Sequence, residues 1–111
     1  MSDGATTTRA RVATAGDVPD GGALRVVAEG HPVALVRIGD DLYAIGDTCS
    51  HQRVSLSEGE VLCATREIEC WKHGSAFSLV TGEPSALPAN RPVPVFPVTV
   101  DGDDVYVEVP S

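Results

Sequence analysis

Two short segments of the chain place cysteine and histidine at the spacing of metal ligands. The first is Cys49-Ser50-His51 and the second is Cys70-Trp71-Lys72-His73, with residues 52–69 between them. Each segment offers one soft sulfur ligand and one imidazole, the side chains that bind zinc and iron–sulfur clusters. If two loops turn these segments toward each other, two thiolates and two imidazoles share one centre. The sequence therefore predicts a site with two sulfur and two nitrogen ligands.

Two kinds of centre use this set of ligands. One is a tetrahedral structural zinc ion, and the other is a [2Fe-2S] cluster of the Rieske type, in which two cysteines hold one iron and two histidines hold the other. Zinc fingers usually pair cysteine with cysteine, and histidine with histidine on a helix. Here each segment is mixed, and no stretch of the chain shows helical periodicity. The mixed order favours the cluster, with a zinc site as the alternative.

Length and composition limit the size and setting of the protein. A chain of 111 residues has room for one domain. We expect residues 1–8 to be a flexible tail and residues 9–111 to form that domain. No apolar run approaches the roughly 20 residues that cross a bilayer, and the first residues have neither the basic start nor the apolar core of a secretory signal. These features predict a cytoplasmic protein with no membrane partner.

The charge balance and the cysteine count narrow the partners and the chemistry. Sixteen acidic residues against eight basic ones give a net charge of −8, which disfavours nucleic acid and suits a basic protein partner. Three cysteines without an export signal favour metal or redox chemistry over disulfides. The spare thiol, Cys63, is expected to be a partly buried small residue. His31 is expected in a solvent-facing turn, without a ligand-like neighbour.

The elements that must position these segments are short strands. β-Branched runs separated by glycine, aspartate and proline turns predict an antiparallel β-sandwich or small barrel, an all-β class. The predicted strands cover residues 9–14, 23–28, 33–38, 42–45, 67–70, 76–80, 98–100 and 105–109. The second ligand segment then lies at a hairpin tip, and Trp71 is expected to shield the metal or pack on the core. Residues 52–60 and the proline-rich residues 85–97 are expected to be loops.

The motif order resembles a known signature. Cys49-Ser50-His51 followed by Cys70-Trp71-Lys72-His73-Gly74-Ser75 is similar to the CxH…CxxHG signature of Rieske proteins, and the resemblance extends over roughly residues 9–109. Small soluble Rieske-type ferredoxins, including those that serve non-haem iron oxygenases, look most similar. Residues 54–61 and 91–98 also resemble ferredoxins found beside actinobacterial iron–sulfur assembly genes. The resemblance implies a Rieske fold with a cluster-binding subdomain of two loops and one [2Fe-2S] cluster.

The resemblance also implies a role for each residue of the signature. Cys49 and Cys70 would bind the buried ferric iron, and the cluster would be completed on the other side by imidazoles. His51 and His73 would bind the outer iron, which is the one that is reduced. The groups implied to surround the cluster and donate hydrogen bonds to it are Gln52, Arg53, Gly74 and Ser75.

The chain departs from the Rieske proteins of respiratory complexes in ways that affect the potential. Those proteins carry two further cysteines, at positions that match Val54 and Lys72, and a tyrosine where this chain has Phe77. Ser75 retains one hydroxyl donor to the cluster, while the second donor is missing. Because such hydrogen bonds raise the reduction potential, we expect a value at the bottom of the Rieske window of about −150 to +300 mV.

A Rieske cluster in a chain of this kind predicts an electron carrier and not an enzyme. An oxygenase also needs a mononuclear iron held by two histidines and a carboxylate, and only His31 remains once His51 and His73 are assigned. A respiratory subunit would need a membrane anchor. We therefore expect one-electron transfer from a reductase to an acceptor such as a non-haem iron oxygenase. The alternatives are a role in iron–sulfur assembly or redox sensing and, more remotely, a structural zinc module.

Overall fold

The structure is a computed structural model and describes residues 7–48, 54–71, 74–85 and 91–110. Within these ranges ten antiparallel strands form three small sheets, with two short 3-10 helices at Ala15–Asp17 and Leu56–Glu58. None of the described helices has the length and apolar character that spanning a bilayer requires. The all-β prediction is confirmed.

The first sheet joins the two ends of the chain. It consists of β1 (Thr7–Thr14), β9 (Val98–Asp101) and β10 (Asp104–Pro110), in the order β1-β10-β9. β1 begins two residues before the predicted start at Arg9. The predicted C-terminal hairpin is confirmed, and its tight turn uses Gly102 at a φ of +64°. Alternate valines of β10 point into the core and are fully buried.

The second sheet is the predicted meander with one added edge strand. It consists of β2 (Ala23–Ala28), β3 (His31–Ile38), β4 (Asp41–Gly46) and β8 (Val95–Phe96), in that order. The turn between β2 and β3 is only Glu29-Gly30, both with positive φ, so His31 begins a strand and does not lie in the turn as predicted.

The proline-rich loop prediction is wrong at Val95–Phe96, which forms β8. This strand pairs with β4 through only two residues, at the edge of the sheet. Prolines on either side, Pro94 and Pro97, are tolerated because an edge position needs few backbone donors. The buried side chain of Phe96 fixes the strand against the core. Residues 86–90 of the same predicted loop lie outside the described part of the chain.

The third sheet is smaller and carries the second ligand segment. It consists of β5 (Glu60–Leu62), β6 (Glu67–Glu69) and β7 (Ala76–Ser78), paired in chain order. The predicted strands on either side of the segment are confirmed in β6 and β7. β5 was not predicted, because it begins at the end of a segment whose polar composition favoured a loop.

The second sheet is the central layer, and it has an apolar cluster on each face. Ala34 and Val36 of β3 pack with Leu56, Ile68 and Phe77 beneath the third sheet. Val33 and Leu35, which alternate with them on β3, face the opposite cluster. That cluster also contains the valines of β10. A strand buried on both faces has a nearly continuous apolar sequence, which accounts for the run at residues 32–36.

An arginine in a left-handed backbone conformation connects the third sheet to the central one. Arg66 has a φ of 56°, and its guanidinium donates to the Tyr43 hydroxyl and, at 2.9 Å, to the carboxylate of Asp41. The hydrogen bond to Tyr43, followed by that to Asp41, raises the pKa of Arg66 above its ordinary value. The Arg66 carbonyl also accepts a hydrogen bond from the Leu79 N–H at 2.9 Å. These contacts fix the small sheet against β4.

Candidate metal centre

The second ligand segment connects β6 to β7 at a hairpin tip, as predicted. The Cys70 N–H donates to the Ser75 carbonyl at 2.6 Å, and the Gly74 N–H donates to the Cys70 carbonyl at 2.9 Å. Gly74 has a φ of +78°, a conformation that glycine adopts without strain. Lys72 and His73 lie outside the described residues.

Cys70 is buried beneath this tip. It is 1% exposed and belongs to the apolar cluster that contains Leu56, Ile68 and Phe77. A thiolate in such surroundings is costly unless a metal compensates its charge. Ser75, also 1% exposed, lies beside it at the base of β7. The burial and soft sulfur of Cys70 therefore fit a ligand to the inner iron of a cluster.

The first ligand segment falls between two short stretches of chain that are held together. Thr48 and Ser55 form an isolated antiparallel bridge, and the Leu56 N–H donates to the Asp47 carbonyl at 2.6 Å. The loop between these ends carries the predicted ligands Cys49 and His51, together with Gln52 and Arg53. These four residues lie outside the part of the chain that the structure describes.

The chain that follows the first segment packs against the third sheet. Leu56, which follows the first loop, packs in the same cluster as Cys70. Gly59 lies so close to β6 that a Cβ atom built on it would be 1.8 Å from the Glu69 carbonyl oxygen. Among the described residues no group of three histidine, cysteine or acidic side chains is arranged as a metal site. Of the four predicted ligands, only Cys70 is among the residues that the structure describes.

Three residues differ in their surroundings from the sequence prediction. Trp71 is 52% exposed, so of its two predicted roles packing on the core is wrong, while shielding of the metal stays a prediction. Cys63 is exposed and not partly buried, because it begins the turn between β5 and β6. His31 is half-buried, and its Nε2 donates to the Pro110 carbonyl at 3.1 Å.

Sequence reasoning missed one residue beside the site, the buried carboxylate of Asp47. It is 2% exposed and directly precedes the first ligand loop. The only signal in the sequence was an acidic residue at the end of an apolar strand, two positions before Cys49. Its partners come from distant parts of the chain, which the sequence alone does not bring together.

The described residues define a small antiparallel β domain with a buried cysteine, Cys70, at a hairpin tip. The family model of the Rieske [2Fe-2S] domain matches residues 8–97, and the chain belongs to this family. The domain of this family carries one [2Fe-2S] cluster, and the buried sulfur of Cys70, one of the four predicted ligands, fits that group.

Comparison with individual proteins indicates which kind of Rieske protein this chain resembles. The chain is 43% identical over 96 residues to the 3-phenylpropionate/cinnamic acid dioxygenase ferredoxin subunit of Shigella boydii serotype 4 (strain Sb227), which covers 86% of this chain and 88% of the relative. The ferredoxin of carbazole 1,9a-dioxygenase from Nocardioides aromaticivorans IC177 superposes with a TM-score of 0.88 at 38% identity, covering 94% of this chain and 99% of that one.

A third comparison is with a solved complex of reduced oxygenase and oxidized ferredoxin in carbazole 1,9a-dioxygenase. The matched chain has a TM-score of 0.81 and 42% identity, with 89% of this chain and 91% of that chain covered. The protein is thus a Rieske-type ferredoxin, an electron carrier with one [2Fe-2S] cluster, and is not itself a catalytic enzyme. The comparisons do not favour the assembly, sensing or zinc alternatives.

Proposed function

We propose that this ferredoxin carries single electrons from a reductase to the terminal oxygenase of a multicomponent dioxygenase that acts on an aromatic compound. The observation that carries the proposal is its 43% identity, over most of both chains, to a dioxygenase ferredoxin subunit. The solved complex of a similar ferredoxin with its oxygenase supports the same acceptor. A cytoplasmic location is part of the proposal.

We assign the cluster ligands as Cys49, His51, Cys70 and His73. A bound [2Fe-2S] cluster supplies one reversible electron. The chain's own contribution is to hold that group between two loops, with Cys70 buried in the apolar cluster and Trp71 exposed beside it. The Gly74 N–H, one of the donors expected from the sequence, donates to the Cys70 carbonyl, and the Cys70 N–H donates to the Ser75 carbonyl, so these bonds close the hairpin tip over Cys70.

The surface charge of the chain suits a transient complex. A net charge of −8 favours association with a basic face on the reductase or the oxygenase. Electron-transfer interfaces are small, so electrostatic attraction contributes chiefly to the association rate. The chain therefore needs no large apolar docking surface to find its partners.

Two cysteine variants test the ligand assignment. Cys70→Ser replaces a buried proposed ligand, and Cys63→Ser makes the same chemical change at an exposed cysteine outside both segments. We expect the purified Cys70→Ser protein to lose its iron, its sulfide and its visible absorbance, while Cys63→Ser keeps all three. Equal iron and sulfide in the two variants would contradict the role of Cys70.

His73→Cys tests the histidine side of the assignment. Exchange of an imidazole for a thiolate adds negative charge to the cluster, so the variant is expected to have altered g-values and a lower potential. An unchanged electron paramagnetic resonance (EPR) spectrum would show that His73 is not a ligand.

A reconstituted assay tests the partner. A purified aromatic-ring dioxygenase system, with its reductase and terminal oxygenase but without its own ferredoxin, is supplied with this protein, with Cys63→Ser or with Cys70→Ser. We expect reductant-dependent product with the first two proteins and none with Cys70→Ser. If the loaded wild-type protein is reduced by the reductase but supports no product with any terminal oxygenase tested, the proposed acceptor is wrong.

A further inference from the structure

Asp47 is a buried carboxylate with three hydrogen-bond donors. Its Oδ2 accepts from the Ser55 hydroxyl at 2.5 Å and from the Arg25 Nε at 3.2 Å, and its Oδ1 accepts from the Ser57 N–H at 3.0 Å. Within the described ranges it is the only charged residue in the buried class. A buried carboxylate is tolerated when such donors replace its water.

Two of the three donors of Asp47 lie on the far side of the first ligand loop. Asp47 directly precedes residues 48–54, Ser55 directly follows them and Ser57 lies two residues further on, so one side chain connects the entry and the exit of the loop. The main chain adds a second connection through the Asp47 carbonyl, which accepts from the Leu56 N–H at 2.6 Å. The Asp47 N–H in turn donates to the Pro32 carbonyl at 3.1 Å, which fixes the entry against the central sheet.

Loop closure alone does not require a buried charge. The bridge between Thr48 and Ser55 and the full burial of Leu56 already hold the two ends near each other. A fully satisfied polar network restricts the ends of the loop to a single preferred arrangement, because any other geometry leaves the carboxylate or its donors without partners. Defined ligand orientation is what a redox centre requires, since second-shell hydrogen bonds orient the ligands and tune the metal.

The same network also lies at the border with solvent. An open cleft of about 480 Å³ borders it and is lined by Arg25, Asp47, Thr48, Val54 and Ser55. When the network is intact, Asp47 is almost inaccessible although it forms part of the cleft wall. Breaking the network would admit water and chelators at the base of the ligand loop.

We propose that Asp47 is a positioning residue, which fixes the loop that carries Cys49 and His51 and so sets the geometry and the retention of the cluster. The inference rests on the proposed ligand assignment. It concerns the placement of the loop and not the negative charge of Asp47 as such.

Three variants separate placement from charge. Asp47→Asn keeps the shape but removes the charge, while Ser55→Ala removes a donor at constant charge. Asp104→Asn is the matched control, because Asp104 also pairs with an arginine, Arg11, at 2.8 Å, but on the first sheet and with the pair half exposed. None of these three substitutions removes an apolar side chain.

The experiment uses the cluster-loaded proteins. It measures the EPR line shape of the reduced cluster and the rate at which an iron chelator bleaches the visible absorbance. We expect Asp47→Asn and Ser55→Ala to broaden the EPR lines and to bleach about tenfold faster, because each change leaves a buried polar group without a partner; a factor of ten corresponds to about 1.4 kcal/mol. Asp104→Asn should match the wild type.

Three outcomes overturn the inference. It falls if Ser55→Ala bleaches at the wild-type rate with unchanged EPR lines, because then only the charge of Asp47 matters. It also falls if Asp104→Asn has the same effect as Asp47→Asn. If the wild-type protein itself shows no Rieske spectrum, the ligand assignment is wrong and the inference falls with it. If the wild-type protein shows that spectrum, either of the first two outcomes overturns the inference alone. Should Asp47→Asn not fold, Ser55→Ala decides.

Discussion

Replacement of Gly59 by alanine places a methyl group against the backbone of β6. Gly59 follows the 3-10 helix at Leu56–Glu58, and its φ of −85° is accessible to any residue. The constraint is therefore space and not backbone conformation. A Cβ atom at this position would lie 1.8 Å from the Glu69 carbonyl oxygen and 3.0 Å from its carbonyl carbon.

The size of the effect follows from that distance. Ordinary non-bonded contacts require about 3.5 Å, so Gly59 and β6 must separate locally by roughly 1.7 Å. The obstacle is a main-chain carbonyl, which cannot rotate away as a side chain can. Overpacking of this kind costs about 1–3 kcal/mol, and we expect the upper end. For a domain of this size, about 3 kcal/mol corresponds to a fall in Tm of roughly 10–20 °C.

The displacement also reaches the metal centre, because Glu69 is followed directly by Cys70. The assay is thermal unfolding followed by far-ultraviolet circular dichroism, with cluster content followed by visible absorbance. Gly16→Ala is the control, since a Cβ there meets no heavy atom within 4 Å. We expect Gly16→Ala to stay within about 0.5 kcal/mol of the wild type. Equal Tm values for the two variants would refute the reasoning from close approach.

Three further predictions follow from charge, packing and hydrogen bonding. Raising the ionic strength should slow reduction of the acidic protein by its reductase, and a salt-independent rate in stopped-flow mixing would argue against electrostatic steering. Leu56→Ala should lower the free energy of unfolding by about 2–5 kcal/mol because Leu56 is fully buried, while Val27→Ala, at a 55% exposed position, should change it little in the same denaturant titration. Phe77→Tyr adds a hydroxyl two positions after Ser75 and should raise the reduction potential; a redox titration with the wild-type midpoint would remove Phe77 as a cause of the low potential that we expect.

The larger strands could be predicted because their sequences contain the pattern that burial imposes. The alternating valines of β10 match a strand with one buried face and one more exposed face. The uninterrupted apolar run in β3 matches a strand buried on both faces. The tight turns at Glu29-Gly30 and Gly102 also follow from local chemistry, since glycine adopts positive φ at little cost.

The short edge elements could not be predicted in the same way. β5 and β8 contain three and two residues, too few to show periodicity, and they exist because a neighbouring strand supplies hydrogen bonds. The exposure of Cys63 and Trp71 likewise depends on which side of a turn faces the core. Such tertiary effects override local preference.

The candidate site could also be predicted only where it depends on local sequence. Ligand types and their spacing are local properties, so the sequence could predict Cys70 at a hairpin tip. The partners of Asp47 are not local: Arg25 lies on β2, and Ser55 lies beyond the ligand loop. A buried carboxylate gives no signal in a single sequence until the chain is folded around it.

We assign a [2Fe-2S] cluster to Cys49, His51, Cys70 and His73 in a one-electron carrier. Pulsed EPR of the reduced wild-type protein tests this assignment, because nitrogen nuclei bound to the reduced iron couple to the unpaired electron. We expect a spectrum with couplings from two histidine nitrogens, obtained after the uptake of one electron per chain. A reduced protein without an EPR signal, or a cluster signal without nitrogen coupling, would contradict it.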